Sequence, residues 1–293
     1  MIGKKRQVMK RVTLAVLLTA AVAATFVMVD STFPGDSGAP DHLLVYEALA
    51  EASDEVVLND QFGDDMKFNV GDLRGLGVPA SKNSDFGYGY GYDSVNGPDH
   101  PDFHYTVYRI QPGEGEPVHE NVSKIVEDQF GTLPVRVQGP NFLMVPAFKS
   151  LVEPAPNAPD GDDLEENLID HYTCYRASAE EPFSSQVVTV TDQFSDPMEV
   201  EVIEPASLCA PTAKIHNETE YPINNPLGEG GFHLMCYTIE PVDVDGGEDG
   251  EEGNEGNAER DVWVGDQFVQ QQLVVNTKVL AGLCVPAEKS DPQ

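Results

Sequence analysis

The chain has 293 residues, of which 40% are hydrophobic, and its 50 acidic residues against 17 lysines and arginines give a formal net charge of −33 at pH 7. The hydrophobic content is enough to build packed cores and argues against disorder throughout. The negative charge argues against nucleic acid as a partner and suits a saline or exported environment.

The first 29 residues are typical of a targeting segment. Five basic residues within positions 4–11 precede a stretch from Val12 to Val29 in which threonine is the only polar residue type. This pattern predicts a signal peptide, and the length of the stretch leaves an uncleaved N-terminal anchor as the alternative. In both cases we expect the rest of the chain to be secreted or on the cell surface, outside the cytoplasmic membrane. Contact with a membrane is expected only through this segment, if it is uncleaved.

The tripeptide Asp-Gln-Phe occurs four times and marks an internal repeat. A His-x-x-x-Tyr pattern precedes each tripeptide and a Leu-x-x-Pro pattern follows it, with 16, 15, 16 and 17 residues from the Asp to the Leu. Such constant spacing is typical of tandem duplication. The predicted copies are residues 41–82 (copy 1), 103–149 (copy 2), 170–214 (copy 3) and 232–289 (copy 4). The repeated positions are His42, His104, His171 and His233; Tyr46, Tyr108, Tyr175 and Tyr237; Asp60, Asp128, Asp192 and Asp266; and Phe62, Phe130, Phe194 and Phe268.

Alternating β-branched residues on both sides of each tripeptide predict strands. Copy 3, for example, has Val188 and Val190 before it and Val200 and Val202 after it. The proline of Leu-x-x-Pro predicts that the last strand of each copy stops there, because proline cannot donate to a ladder. The predicted fold class is therefore all-β, with four tandem small β units after the N-terminal segment. Units of about 45 to 60 residues are small for an independent core, so we expect them to pack in pairs or to interleave.

The four cysteines occur only in the last two copies, at equivalent positions. Copy 3 has Cys174 and Cys209, and copy 4 has Cys236 and Cys284. Copies 1 and 2 lack a cysteine at both positions. Of the three possible pairings, the repeat symmetry favours one disulfide within each of the last two copies, which joins the His-Tyr strand to the Leu-x-x-Pro strand. Export would make this oxidation possible.

The combined pattern resembles a known repeat. His-Leu-x-Cys-Tyr, then Asp-Gln-Phe-Gly, then Leu-Cys-x-Pro-x-x-Lys is similar to a tandem repeat of predicted exported proteins of bacteria and archaea, classed as a domain of unknown function. The resemblance covers residues 41 to 289 apart from the linkers. It implies the shared fold and brings no activity with it.

Four equivalent histidines raise the possibility of a metal site, with Cys174 three residues after His171 and Cys236 three residues after His233. Residues three apart on a strand face opposite sides, so we predict structural histidines, hydrogen-bonded and stacked near the tyrosine of the same face. The repeated Asp could act with His as an acid/base pair, but no nucleophile accompanies them in each copy. We therefore predict that the Asp holds a turn and that the Phe fills the core.

Three further features of the sequence are the repeated lysines, an acidic loop and a glycine/tyrosine linker. The lysine six positions after each Leu, as at Lys214, is expected to pair with a carboxylate. Residues 241–260 form an acidic loop without the EF-hand pattern, for which simple solvation or weak cation binding is expected. Residues 86–92 are a glycine/tyrosine linker that lacks the lysine of a phosphate-binding loop.

The sequence therefore predicts an exported or cell-surface repeat protein with a structural, adhesive or partner-binding role and no catalytic activity or cofactor. The expected partner is an unidentified extracellular or envelope component. The alternative is a metal-dependent binding module or enzyme that uses the repeated His, Asp and Tyr positions.

Overall fold

Strands account for most of the described residues, which are 39–83, 97–225, 232–242 and 259–292 of the computed structural model. The predicted all-β fold is confirmed. In each copy two short strands precede a long one, and the Asp-Gln-Phe tripeptide lies at the turn into the long strand. In chain order the strands are β1 His42–Ala50, β2 Asp54–Asp60, β3 Gly63–Asn83, β4 His104–Pro112, β5 Val122–Asp128, β6 Gly131–Ser150, β7 His171–Ala179, β8 Gln186–Thr191, β9 Met198–His216, β10 Thr219–Tyr221, β11 His233–Pro241, β12 Glu259–Gly265 and β13 Gln270–Ser290.

Eight of these strands close into a ring. The first strand of each copy pairs with the second half of its own long strand, and each long strand pairs with the first strand of the next copy. Strand β13 then pairs with β1, which closes the antiparallel order β1-β3-β4-β6-β7-β9-β11-β13. Closure satisfies the backbone groups that an open sheet would expose at its two edges.

The second strand of each copy, which is β2, β5, β8 or β12, connects copies that are not adjacent in the sequence. Each pairs with the first half of its own long strand. Strand β2 also pairs with the end of β9, and β8 pairs with the end of β3, so copies 1 and 3 exchange strands. Copies 2 and 4 do the same through β5 with β13 and β12 with β6. The described residues accordingly form one compact unit in which the four sequence copies interleave.

The two faces of the ring strands fill two separate cores. On β1, Leu44 and Tyr46 belong to the larger core, whereas Leu43 and Val45 belong to a smaller one that also contains the four cysteines. The smaller core receives side chains from β1, β4, β7 and β11, which alternate around the ring. One cavity is lined by residues of all eight ring strands, among them Val45, Val107 and the four cysteines of the smaller core. The smaller core is therefore the interior of the ring.

The prediction that each long strand stops at its proline was wrong. Strand β3 continues through Pro79 to Asn83, and the other three long strands pass their prolines in the same way. Each proline is paired on one side only. Pro79 lies opposite Leu43 of β1, while the pairing of β3 with β4 ends two residues earlier, at Gly77. The missing N–H therefore faces a side without a neighbouring strand, where proline is tolerated.

Two aspartates hold the segments that precede copies 2 and 4. Asp41 accepts hydrogen bonds from the backbone N–H groups of Asp99 and His100, at 2.7 and 2.8 Å. Asp170 accepts one from Asn224 N at 2.6 Å in the equivalent position. The only helix of the described residues, α1 Gly161–Glu166, lies between copies 2 and 3 and begins after a capping box made by Asp160 and Asp163.

Several sequence predictions concern residues outside the described part of the chain. They are the signal or anchor segment 1–29, the glycine/tyrosine linker 86–92 and nearly all of the acidic loop 241–260. Within the described ranges, no helix has the length and hydrophobicity needed to cross a membrane.

Candidate functional site

The Asp of each Asp-Gln-Phe tripeptide holds the turn into the long strand. Its Oδ1 accepts a hydrogen bond from the backbone N–H of the Phe two residues later, at 2.6 to 2.8 Å in the four copies. In copies 3 and 4 the same oxygen also accepts from the next N–H, that of Ser195 or Val269. This is the local bonding by which aspartate stabilises turns.

The other oxygen of each Asp accepts a hydrogen bond from a tyrosine of a different copy, which the sequence did not predict. Copy 1 exchanges these bonds with copy 3, and copy 2 exchanges them with copy 4. The pairs are Tyr46 with Asp192 (2.6 Å), Tyr175 with Asp60 (2.8 Å), Tyr108 with Asp266 (2.6 Å) and Tyr237 with Asp128 (2.5 Å). The Phe of the same tripeptide packs against the same tyrosine, with ring centroids 4.6 to 5.4 Å apart.

The Gln of each tripeptide is hydrogen-bonded to a repeated histidine, and these bonds follow the ring. The pairs are Gln129 with His42 (3.2 Å), Gln193 with His104, Gln267 with His171 (3.0 Å) and Gln61 with His233. Each Gln therefore binds the histidine of the preceding copy, and Gln61 of copy 1 binds His233 of copy 4. Each repeated histidine is therefore hydrogen-bonded. The ring of His171 packs on Tyr221, with ring centroids 5.4 Å apart, and not on Tyr175 of its own strand.

The repeated lysines lie over aromatic rings, and the prediction that they pair with carboxylates was wrong for Lys149, Lys214 and Lys289. The lysine nitrogen lies 4.7 to 5.2 Å from the ring centroid of the Phe in the following copy. Among the described residues, Lys149, Lys214 and Lys289 make no ion pair with a carboxylate. A cation over an aromatic face is attracted by the ring quadrupole, and the contact becomes stronger when water is excluded.

Burial shifts the pKa values of these groups. It raises the pKa of Asp60 and of Asp128 to about 6, although hydrogen bonds from the tyrosine and the backbone act in the opposite direction. Burial and the neighbouring aspartate raise the pKa of the four tyrosines, so each remains a neutral donor. Burial lowers the pKa of His104 to about 3 and that of Lys214 to about 7. At neutral pH Asp60 and Asp128 are therefore mostly ionised and His104 is neutral.

The structure does not bring the repeated His and Asp together as an acid/base pair. Each Asp is bound by Tyr and each His by Gln, in all four copies. Within the described ranges, no three His, Cys, Asp or Glu side chains converge in a way that could hold a metal ion. The repeated polar residues thus form contacts between copies, and their arrangement offers no free pair for proton transfer.

Both predicted disulfides are present. Cys174 is bonded to Cys209 and Cys236 to Cys284, and each pair lies directly opposite across its two strands. Copies 1 and 2 have Val45 opposite Gly77 and Val107 opposite Met144 at the same two sites. The two disulfides are neighbours inside the ring, where Cys209 Sγ and Cys236 Sγ lie 3.7 Å apart.

Comparison with known proteins agrees with a repeat architecture. Residues 104–249 match a family model described as "Repeat of unknown function (DUF7450)". The match begins at the first residue of β4 and extends through copy 3 into copy 4. No curated protein and no solved structure matches the chain. The description of the matched model names a repeat and no activity.

Proposed function

We propose that this protein is exported and acts outside the cytoplasmic membrane as a structural, adhesive or partner-binding protein without a catalytic role. One observation carries the proposal: the repeated polar side chains bind one another across the copies. Every Asp-Gln-Phe tripeptide binds two other copies, through Asp to Tyr and through Gln to His, so reiteration serves assembly of the fold. Sites that serve catalysis are seldom built four times from residues that are fully engaged with one another.

Three features support export. Five basic residues within positions 4–11 precede an apolar stretch, Val12 to Val29. The two disulfides are consistent with an oxidising compartment. The strongly acidic composition would keep an exposed protein soluble in salt.

The test of export is the redox state of the cysteines in cells. The full chain and a variant without residues 1–30 are expressed in parallel, and free thiols are trapped with a maleimide carrying a polymer that shifts the band on a gel. The full chain is expected to be unlabelled and outside the cytoplasm, and the truncated variant to be labelled and inside. A full chain that remains reduced in the cytoplasm would contradict the proposal.

The partner-binding role is tested with immobilised protein and fractions of cell envelope or extracellular matrix. The control is the same protein after reduction and alkylation, which removes the cross-links while leaving the charge of every acidic and basic side chain unchanged. A component retained by the folded protein alone, in low and high salt, is expected. If nothing is retained at either salt concentration, the binding role is wrong.

Elemental analysis distinguishes the proposal from a metal-dependent module or enzyme. The purified protein and its His171→Gln and His233→Gln variants are compared. A stoichiometric transition metal that both substitutions remove would favour the metal-dependent reading. Equal, substoichiometric metal in all three samples is the result expected of structural histidines.

A further inference from the structure

One end of the ring interior contains a cavity of about 180 Å³. Its wall is mostly apolar and includes Val45, Val107, Phe142, Met144 and the two disulfides, so that all four copies contribute to it. A cavity of about 150 Å³ with an apolar lining is large enough to hold a benzene ring. Copies 1 and 4 have glycine in this wall, and a side chain at Gly282 would place its Cβ only 2.9 Å from the Tyr237 carbonyl oxygen. The close approach of β11 and β13 at this point therefore limits the volume of the cavity.

Four equivalent β-bulges surround this end of the ring. In each copy the pairing of the long strand with the first strand of the next copy skips one residue of the long strand, between Leu73 and Gly75 in copy 1. The skipped residues are Arg74, Asn141, Ala206 and Ala281. Three of them, all except Asn141, line the cavity. A bulge turns a side chain away from the regular alternation, and bulges are frequent next to functional sites.

The two polar bulge residues carry buried atoms that lack a hydrogen bond. Arg74 Nε and Asn141 Oδ1 are both buried and have no partner among the described residues. The far end of Arg74 is bound, because its Nη2 donates to Asp72 at 2.9 Å. A buried donor without an acceptor costs free energy, and a bound ligand with an acceptor would remove this cost. The unpaired Nε belongs to a residue that lines the mouth of an apolar cavity.

We propose that this cavity binds a small, uncharged and mostly apolar molecule that carries one hydrogen-bond acceptor, a hydroxyl or carbonyl oxygen, directed at Arg74. The volume excludes a peptide segment and suits a single ring or a short branched chain. The ligand is uncharged because Asp72 already neutralises the guanidinium and the whole chain has a net charge of −33, which repels anions. This site is independent of the proposed export and partner binding.

The test uses the purified protein with both disulfides intact and three probes that share one ring: benzene, benzyl alcohol and benzoate. Binding is measured at millimolar concentrations by calorimetry and by ligand-detected NMR. We expect benzyl alcohol to bind more tightly than benzene, and benzoate to bind most weakly. Tighter binding of benzoate would overturn the assignment of an uncharged ligand, and no binding of benzene or benzyl alcohol would overturn the site.

Two substitutions locate the binding. Arg74→Met keeps an unbranched chain as far as the position of Nε but removes the guanidinium, so it is expected to weaken benzyl alcohol binding about tenfold and leave benzene unchanged. The matched control is Arg109→Met, an exposed arginine that does not line the cavity. Ser207→Leu fills the cavity and is expected to abolish binding of both neutral probes, provided that its circular dichroism and disulfides match the wild type. Arg74→Met without effect on benzyl alcohol, or unchanged binding in a folded Ser207→Leu, would refute the site.

Discussion

Tyr46 donates a hydrogen bond of 2.6 Å to Asp192, a residue 146 positions further along the chain. The same bond recurs between the other copies, so each turn aspartate is held by a strand that belongs to a different copy. Each of the four copies thus contributes a Tyr–Asp contact to the assembly of the fold, and these contacts have testable consequences for stability.

Removal of one such hydroxyl should destabilise the whole molecule. Tyr175→Phe removes the hydrogen bond that the Tyr175 hydroxyl donates to the mostly buried carboxylate of Asp60. Loss of a partner for a buried charged group costs about 1–3 kcal/mol of unfolding free energy, which denaturant unfolding measures. The same substitution should raise the pKa of Asp60 above about 6, because the tyrosine bond lowers it.

The matched control for that substitution is Tyr105→Phe. Tyr105 is buried in the ring interior and contacts Tyr172, but its hydroxyl makes no bond to an Asp-Gln-Phe tripeptide. Equal losses of stability in the two variants would show that the bond between copies has no special contribution.

A third disulfide should form in copy 2. Val107 lies directly opposite Met144, as Cys174 lies opposite Cys209, so Val107→Cys with Met144→Cys places two thiols at the equivalent site. Oxidation should raise the unfolding free energy by about 3–4 kcal/mol on the chain-entropy model. Mass mapping of non-reduced peptides identifies the bridge, and comparison of oxidised and reduced samples gives the gain.

The control for the third disulfide pairs Val107→Cys with Val145→Cys. Val145 belongs to the other face of the strand and to the larger core, so its thiol cannot reach residue 107. A bridge in this control, or none in the first variant, would contradict the strand register.

Stability should fall in acid partly because of buried histidines. Burial holds the pKa of His171 well below its usual value, so below about pH 6.5 the unfolded chain binds a proton that the folded protein does not. Unfolding free energy is then lost as the pH falls, by up to about 1.4 kcal/mol per pH unit for each such histidine. His171→Gln retains an amide able to bond to Gln267 and should show a shallower decline.

The pH effect must be measured as a difference between wild type and variant. Asp60 and Asp128 act in the opposite direction, because their folded pKa of about 6 exceeds the unfolded value, so they add stability as the pH falls from about 6 to 4. Their contribution cancels in the difference. Parallel curves for the two proteins from pH 7 to 5 would contradict neutral burial of His171.

A fragment with two complete copies should not fold. Residues 97–225 contain copies 2 and 3, but Asp128 and Asp192 lose their tyrosines, and Tyr108 and Tyr175 lose their aspartates. The eight-stranded ring is also left open. We expect no cooperative unfolding transition, measured against residues 39–292 as the control. A cooperative transition in the fragment would show that the copies are independent.

The sequence by itself determined the local elements. Alternating residues around Asp-Gln-Phe specify strands, the Asp specifies the turn, and the equivalent cysteines specify a pairing that the structure contains. These features depend on neighbours in the chain or on repeat symmetry, and both can be read from the sequence alone.

Only the tertiary structure decided how the copies combine. Closure of the ring, the exchange between copies 1 and 3, and the binding of Tyr46 to Asp192 join residues far apart in the chain, and four identical motifs cannot specify which copy binds which. The bulge at Arg74 and the cavity beside it also arise from strand register, which is set by pairing across the ring. The prolines are the simplest example, because a strand continues through Pro79 only where the partner on one side has already ended.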